Sequence, residues 1–295
     1  MGQLEDAYVA YAEQYFSKYA LLITEYFQDI KKDLQRANLG FTLTEYLSIA
    51  LMSATITFVV LTPSLSVIVG LMLGTIPGII AGLITGLFVG LFGAVAVFMG
   101  FYLYPSVEVS RRRDNINHNL PFATMYLSTV AGTGTPAPAM FKMLASFDEY
   151  GEVAEEADRI SRDVYNFGAD LDKALKNAAE RTPSEKFKEL LWGMNSVITT
   201  GGDLKSFLRE KTDSYMTDYR RELDQFTDTL SLLVEMYITL VIVGSVFMMI
   251  LSTIMSALGT SEMLVLGLQM GTTFLLLPMA SIMFIVIVKG SSPME

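Results

Sequence analysis

Residues 46 to 107 contain no Asp, Glu, Lys, Arg or His. As a helix rising about 1.5 Å per residue, this stretch of 62 residues would be roughly 90 Å long. A bilayer core of about 30 Å takes about 20 residues per crossing, so the stretch must fold back on itself inside a membrane. A second apolar block runs from about Leu230 to Val288, interrupted by Gly259 to Glu262 ("GTSE"). The mean hydropathy of +0.41, with 52% hydrophobic residues, exceeds what a water-soluble chain of this length carries. The expected fold is all-α: a polytopic membrane protein with two transmembrane helical hairpins and a cytoplasmic helical bundle.

Charge sets the expected orientation. All 21 Lys and Arg fall within residues 18 to 36, residues 111 to 221, and Lys289, and the expected outer turns carry none. The positive-inside rule then places both termini and the central segment in the cytoplasm of a multi-pass cell-membrane protein. The acidic N-terminus lacks the basic region and cleavage site of a secretory signal. Five segments follow: cytoplasmic amphipathic helices at 1–45, a first transmembrane hairpin at 46–104, a cytoplasmic helical domain at 105–229, a second hairpin at 230–288 and a cytoplasmic tail at 289–295. The first outer turn has two candidates, Thr62 to Ser66 ("TPSLS") and Gly74 to Gly78 ("GTIPG"), and the more polar first one is preferred.

Inside the first apolar block Gly70, Gly74, Gly78, Gly82, Gly86 and Gly90 recur every four residues. On a helix such a ladder winds slowly and lets another backbone approach closely. It serves either the packing of the protein's own hairpin or the docking of a partner's membrane helix. Glu235 is the one ionisable residue near a span, and it suits either a local partner or a contact across subunits.

The central domain has helical spacing throughout, as in Leu171, Leu175 and Ala178, then Phe187, Leu190, Leu191 and Met194. A Gly-x-Asp-Leu-x-x-x-Leu pattern occurs twice, at Gly168 to Leu175 and at Gly201 to Leu208. The glycine can end one helix in a left-handed conformation, and Asp170 or Asp203 can cap the next. The interrupted stretch Gly201, Gly202, Asp203 therefore reads as a corner between helices. Residues 132 to 138 read as a further turn, with Pro136 or Pro138 near the start of a helix. The helix that starts at Leu204 has no breaker and is expected to run into the third span.

Equipment for chemistry is missing. No phosphate-binding loop, serine elbow or zinc motif occurs, and a chain without cysteine has no thiolate nucleophile or ligand. The single histidine, His118, is expected in a solvated loop, so no metal or cofactor is called for. A net charge of -10 argues against nucleic acid. Arg111, Arg112 and Arg113 read as an anchor beside anionic membrane lipids or as a docking point for an acidic partner. The acidic run at 148–163 reads as a solvated helix face with pairs such as Glu155 to Arg159. A small-solute transporter or channel subunit is the alternative reading, although it would need polar residues along a span.

The stretches "LPFATMYLSTVAGTGTPAPAMFKMLA", "DVYNFGADLDKALKNAAERTPSEKFKELLWGMNSVITTGGDLKSFLREKT" and "YRRELDQFTDTLSLLVEMYITLVIVGSVFMMIL" resemble the type II secretion F domain of the inner-membrane platforms of secretion and type IV pilus systems. The resemblance covers roughly residues 105 to 290 and is strongest to the archaeal branch, which includes the archaellum platform and Tad-type platforms. It implies a non-enzymatic platform on which a cytoplasmic secretion ATPase acts to move pilin-like subunits from the membrane into a filament. The matching helix-turn residues are Gly132, Gly134, Gly168, Asp170, Leu171, Gly201, Gly202, Asp203 and Leu204. The archaellum platform and the classical F proteins carry two such domains where this chain shows one complete copy, which favours a pilus-type system with a homodimer or a paralogous platform partner. On this reading the ATPase touches Gly168, Asp170, Gly201, Gly202, Asp203 and Arg111 to Arg113, while the glycine ladder holds the pilin helix.

Overall fold

The computed structural model describes residues 2–24, 27–74, 76–259 and 261–291; residues 292–295 of the expected tail lie outside them. Among the described residues every regular element is helical, and four helices are long and apolar enough to span a membrane. The chain divides into two compact units, residues 1–208 and residues 209–295.

In the first unit, α1 (Gly2–Ile23) and α2 (Gln28–Ala37) precede α3 (Leu43–Leu73) and α4 (Ile76–Ala131). Helix α1 packs along α3, with Ala12 and Ala20 fully buried and the Tyr8 hydroxyl 2.8 Å from Ser53 Oγ. The lead-in was expected outside the membrane, yet α1 reaches alongside the uncharged part of α3. Tyr11, Tyr15 and Tyr19 form an exposed stripe on α1, as amphipathic aromatic side chains do at a lipid-water boundary. Helix α2 ends on Asn38 in the left-handed conformation, φ 57°. A capping box on Thr42 and Glu45 then starts α3 by satisfying donors that the first helical turn leaves open.

The first hairpin corrects the preferred position of its outer turn. Pro63 lies inside α3, which continues to Leu73, and the chain reverses after Gly74, where φ is 60°. The polar residues at 62–66 fit within a helix because the Ser66 hydroxyl donates to the Thr62 carbonyl at 2.6 Å. Gly70 and Gly74 consequently belong to α3 or its end, and Gly78 onward to α4, so the ladder is not one groove on one helix. Helix α4 runs for 56 residues through Pro105 and Pro121, about 84 Å, and crosses the expected boundary at 104/105 without a break.

The C-terminal half of α4 is the spine of a bundle with α5 (Ala137–Leu144), α6 (Glu152–Tyr165), α7 (Leu171–Arg181) and α8 (Glu185–Thr200). Its stripe of Ile116, Leu120, Ala123 and Leu127 is buried, as are Phe141, Ile160, Leu175, Ala178, Phe187, Leu190, Leu191 and Met194. Each buried large apolar side chain contributes about 1.5–3 kcal/mol, and their helical spacing is what selects the faces that meet. Ser184 starts α8 by accepting from the Phe187 N–H at 3.1 Å.

Helix α9 (Leu204–Ile238) begins in the first unit and continues in the second. In the second unit a π turn at Thr239–Val243 leads into α10 (Gly244–Ala257). After a turn at Gly259, α11 (Glu262–Gly271) passes through a second π turn, Thr272–Leu276, into α12 (Leu277–Ser291). Gln269 Nε2 donates to Ser252 Oγ at 3.0 Å, and Tyr237 stacks on Phe284 with ring centroids 4.7 Å apart. A cavity of ≈760 Å³ lies between the two π turns.

Candidate functional site: exposed corners on a polar-locked bundle

The repeated Gly-x-Asp-Leu pattern folds into two corners as its spacing predicts. Gly168 and Gly201 adopt φ 66° and 72°, conformations that cost a side-chain-bearing residue. Leu175 and Leu208, the second leucine of each copy, are fully buried and pin each following helix to the core. The caps differ. Asp203 Oδ1 accepts from the Lys205 N–H at 3.0 Å and its Oδ2 from the Ser206 hydroxyl at 2.5 Å. The Ser206 hydrogen bond first, and the backbone N–H groups after it, hold the Asp203 carboxyl below the ordinary carboxylate range. Asp170 has the extended backbone of a cap but makes no side-chain cap bond, which corrects the expectation that both aspartates cap alike.

Gly168, Asp170, Gly201, Gly202 and Asp203 are all exposed. The Gly132 and Gly134 turn stands beside the second corner, since a Cβ on Gly132 would lie 3.7 Å from Lys205 Cε. As expected, Pro136 leads into a helix, at the N-cap of α5. The Phe207 ring lies over Gly193, where an added Cβ would meet Cζ at 2.3 Å, and this close approach joins α8 to the start of α9. Beside the first corner Phe167 is 80% exposed, an aromatic side chain of the kind that protein interfaces bury. The sequence reading passed over it because nothing in one sequence separates an exposed phenylalanine from a core one.

The three consecutive arginines do not form one patch. Arg111 pairs with Glu108 at the surface and Arg113 with Asp114. Arg112 is 3% exposed, with Nε 2.7 Å from Glu152 Oε2 and Nη2 3.1 Å from Glu156 Oε1, and it also donates to the Arg36 carbonyl. This corrects its assignment as a partner-contact candidate, because its charge is spent inside. Glu156, expected on a solvated acidic face, is fully buried and also receives Arg159 at 3.1 Å. Glu155 and Arg159 do form the expected i to i+4 pair, at 3.5 Å. His118 is another correction: it is partly buried on α4 rather than in a loop. Among the described residues no cluster of His, Asp or Glu could hold a metal ion.

The glycine ladder is occupied by the protein itself. A Cβ on Gly82 would lie 2.6 Å from the Ser66 carbonyl oxygen, on Gly86 2.5 Å from that of Thr62, and on Gly90 2.1 Å from Thr62 Oγ1. Backbone meets backbone along this seam of α3 and α4, as small residues permit in membrane helices. Gly78 is also buried, whereas Gly74 faces open space. The face proposed as a docking groove at Gly82, Gly86 and Gly90 is therefore closed. Glu235 is exposed on α9 and finds no partner among the described residues, so no local pairing explains it.

Residues 123–252 match the family described as Type II secretion system (T2SS), protein F. An uncharacterized protein of Methanocaldococcus jannaschii is 26% identical over 200 residues, 65% of this chain and 33% of its own length. Flagella accessory protein J of the same organism is 26% identical over 46% of this chain and 24% of its own. Flagella accessory protein J of Methanococcus voltae is 28% identical over 49% and 26%. The chain thus spans a quarter to a third of the length of these relatives. No solved structure matches it.

Proposed function

From the type II secretion system protein F domain that this multi-pass membrane chain carries, we propose that it is the membrane platform of a type IV pilus-like or archaellum-like assembly machine. It takes its energy from a cytoplasmic secretion ATPase and performs no chemistry of its own. Pilin-like subunits are its substrates, and a second copy or a paralogous platform subunit completes the assembly. Both termini and the helical bundle face the cytoplasm.

One observation carries the reading: the match extends from residue 123 to residue 252, a range that takes in the helical bundle, α9 and most of α10. The family likeness therefore includes the passage from exposed corners to apolar helix, which a platform needs and an isolated soluble domain does not. The motor contact is assigned to the exposed corners at Gly168 to Asp170 and Gly201 to Asp203; Arg111 and Arg113, each paired at the surface, lie roughly 30 Å back along α4 from the Gly132 turn beside the second corner and are left out of it. Glu235, exposed and without a partner among the described residues, is assigned to the contact across subunits.

The test is a strain lacking the chain, complemented with wild type or with Phe167→Asp combined with Asp203→Arg. Wild type restores filaments or secretion and recovers the ATPase on purification from membranes. The double variant reaches the membrane at wild-type level but loses the ATPase. Recovery of the ATPase by the double variant places the motor elsewhere, and a deletion strain that assembles and secretes normally defeats the platform reading.

A further inference from the structure

The first unit contains a basic cleft in a chain whose net charge is -10. Its volume is ≈750 Å³, within the roughly 300–1,000 Å³ of small-ligand sites. Lys32 and Arg36 from α2 and Arg181 from the end of α7 line it, against the single carboxylate of Glu180. Amide side chains of Asn38 and Asn177 add neutral donors.

Lys32 and Arg36 are one helical turn apart on the same face, where like charges repel. Among the described residues neither side chain has an acidic partner, and the bond to Arg112 uses only the Arg36 carbonyl. Arg181 is also under-used. Its Nη2 stands 3.8 Å from Glu156 and its Nη1 4.0 Å from Asp163, and its buried Nε and Nη2 make no hydrogen bond. Helices α2 and α7 both end here, and the partial negative charge of their last turns absorbs part of the excess. Lys32, a turn further back, is beyond that effect.

Position identifies the class of anion. The cleft closes just before the third helix enters its apolar run at Leu43. Arg112, which holds the Arg36 carbonyl, is five residues past Val107, about 7.5 Å along the helix from the end of the uncharged stretch. Headgroups occupy about 5–8 Å on each side of the hydrocarbon core. Tyr102 and Tyr104 are exposed in the last two turns of the uncharged stretch, and Phe41 is exposed at the rim of the cleft, the side chains that mark a membrane boundary.

We propose that the cleft of Lys32, Arg36 and Arg181 binds a phosphate group, and that an anionic phospholipid headgroup supplies it. The lipid joins α2 to α7 by pairing its phosphate with the positive charges that line the cleft. This inference does not depend on the platform reading, because it requires only that the hairpin of α3 and α4 span a bilayer.

The full chain in neutral detergent is titrated with phosphatidylglycerol, with phosphatidylcholine, and separately with inorganic phosphate, and binding is read by native mass spectrometry. One phosphatidylglycerol binds in preference to phosphatidylcholine. Each basic side chain near an anionic surface is worth about fivefold, so Lys32→Ala with Arg36→Ala weakens that binding at least about tenfold. Lys31→Ala, on the same helix but outside the cleft, leaves it unchanged. Unaltered thermal unfolding of the double variant shows that the fold is intact, as expected because the Arg36 carbonyl remains. Equal phosphatidylglycerol affinity in wild type and double variant overturns the proposal. Binding of inorganic phosphate with the same variant dependence and no added affinity from phosphatidylglycerol overturns the lipid source. Binding of a glutamate-rich peptide, lost in the double variant and without any lipid binding, assigns the cleft to a protein partner and overturns it as well.

Discussion

Arg112 shows how one side chain can serve the fold where its neighbours serve the surface. It sits at the head of the stripe Ile116, Leu120, Ala123 and Leu127, so the helical period that buries those residues also turns Arg112 inward. Glu156 occupies the same face of α6 as Val153, Ala157 and Ile160. Removing one partner of a buried ion pair leaves the other charge without compensation and costs about 3–5 kcal/mol. Because Glu156 keeps Arg159 at 3.1 Å, Arg112→Ala is expected to destabilise the detergent-solubilised chain by about 3 kcal/mol at most, read from the fluorescence of its one tryptophan, Trp192. Arg112→Met with Glu156→Leu recovers most of the loss, because an apolar pair of similar volume fills the site. A melt of Arg112→Ala within 0.5 kcal/mol of wild type would show that the pair contributes nothing. Both buried charges were legible in principle from the apolar stripes they extend. Reading "RRR" as a block of like charge hid the difference among its members.

At the scale of elements, helical identity and core faces followed from spacing, whereas the outer turn did not. Thr62 and Ser66 resemble turn residues, yet their hydroxyls lie on the seam that faces α4. A polar residue that packs between membrane helices and one that faces water look alike in a single sequence. The distinguishing feature was Gly74, since a reversal needs a residue that accepts φ 60° and the stretch at 62–66 has no glycine. The seam makes a direct prediction. Gly86→Leu forces a side chain against the Thr62 backbone, for which overpacking costs of about 1–3 kcal/mol are a minimum, and the hairpin loses folded yield and thermal stability. Gly100→Leu, on the same helix with nothing within 4 Å of its Cβ, leaves both unchanged. Equal yield and melting of the two variants in detergent would show that the glycines do not hold this hairpin. Loss of filaments in a Gly82 or Gly86 variant would report a broken hairpin and not a blocked partner.

For the whole molecule, the all-helical class and two hairpins could be read from the distribution of charge, because a bilayer tolerates so few alternatives. The corners at Gly168 and Gly201 were legible for the same kind of reason: a left-handed glycine between two helical patterns is a local rule, although the aspartate completes a cap only at Asp203. The basic cleft was not, since Lys32 and Arg181 meet only after five helices have folded. Orientation is open to a simple measurement in a chain with no native cysteine. Ser146→Cys is expected to resist a membrane-impermeant maleimide in intact cells, and Ser261→Cys to react with it. The opposite pattern would invert the assignment of both termini.

The two apolar hairpins also differ mechanically. The first is zipped by direct backbone contact, so neither leg can slide without a collision. Each leg of the second contains a five-residue π turn, which accommodates one residue more than an α turn. Reversion of either turn to α geometry would move everything beyond it by about 1.5 Å and rotate it by about 100°. The second pair thus holds slack in both legs, and the first holds none.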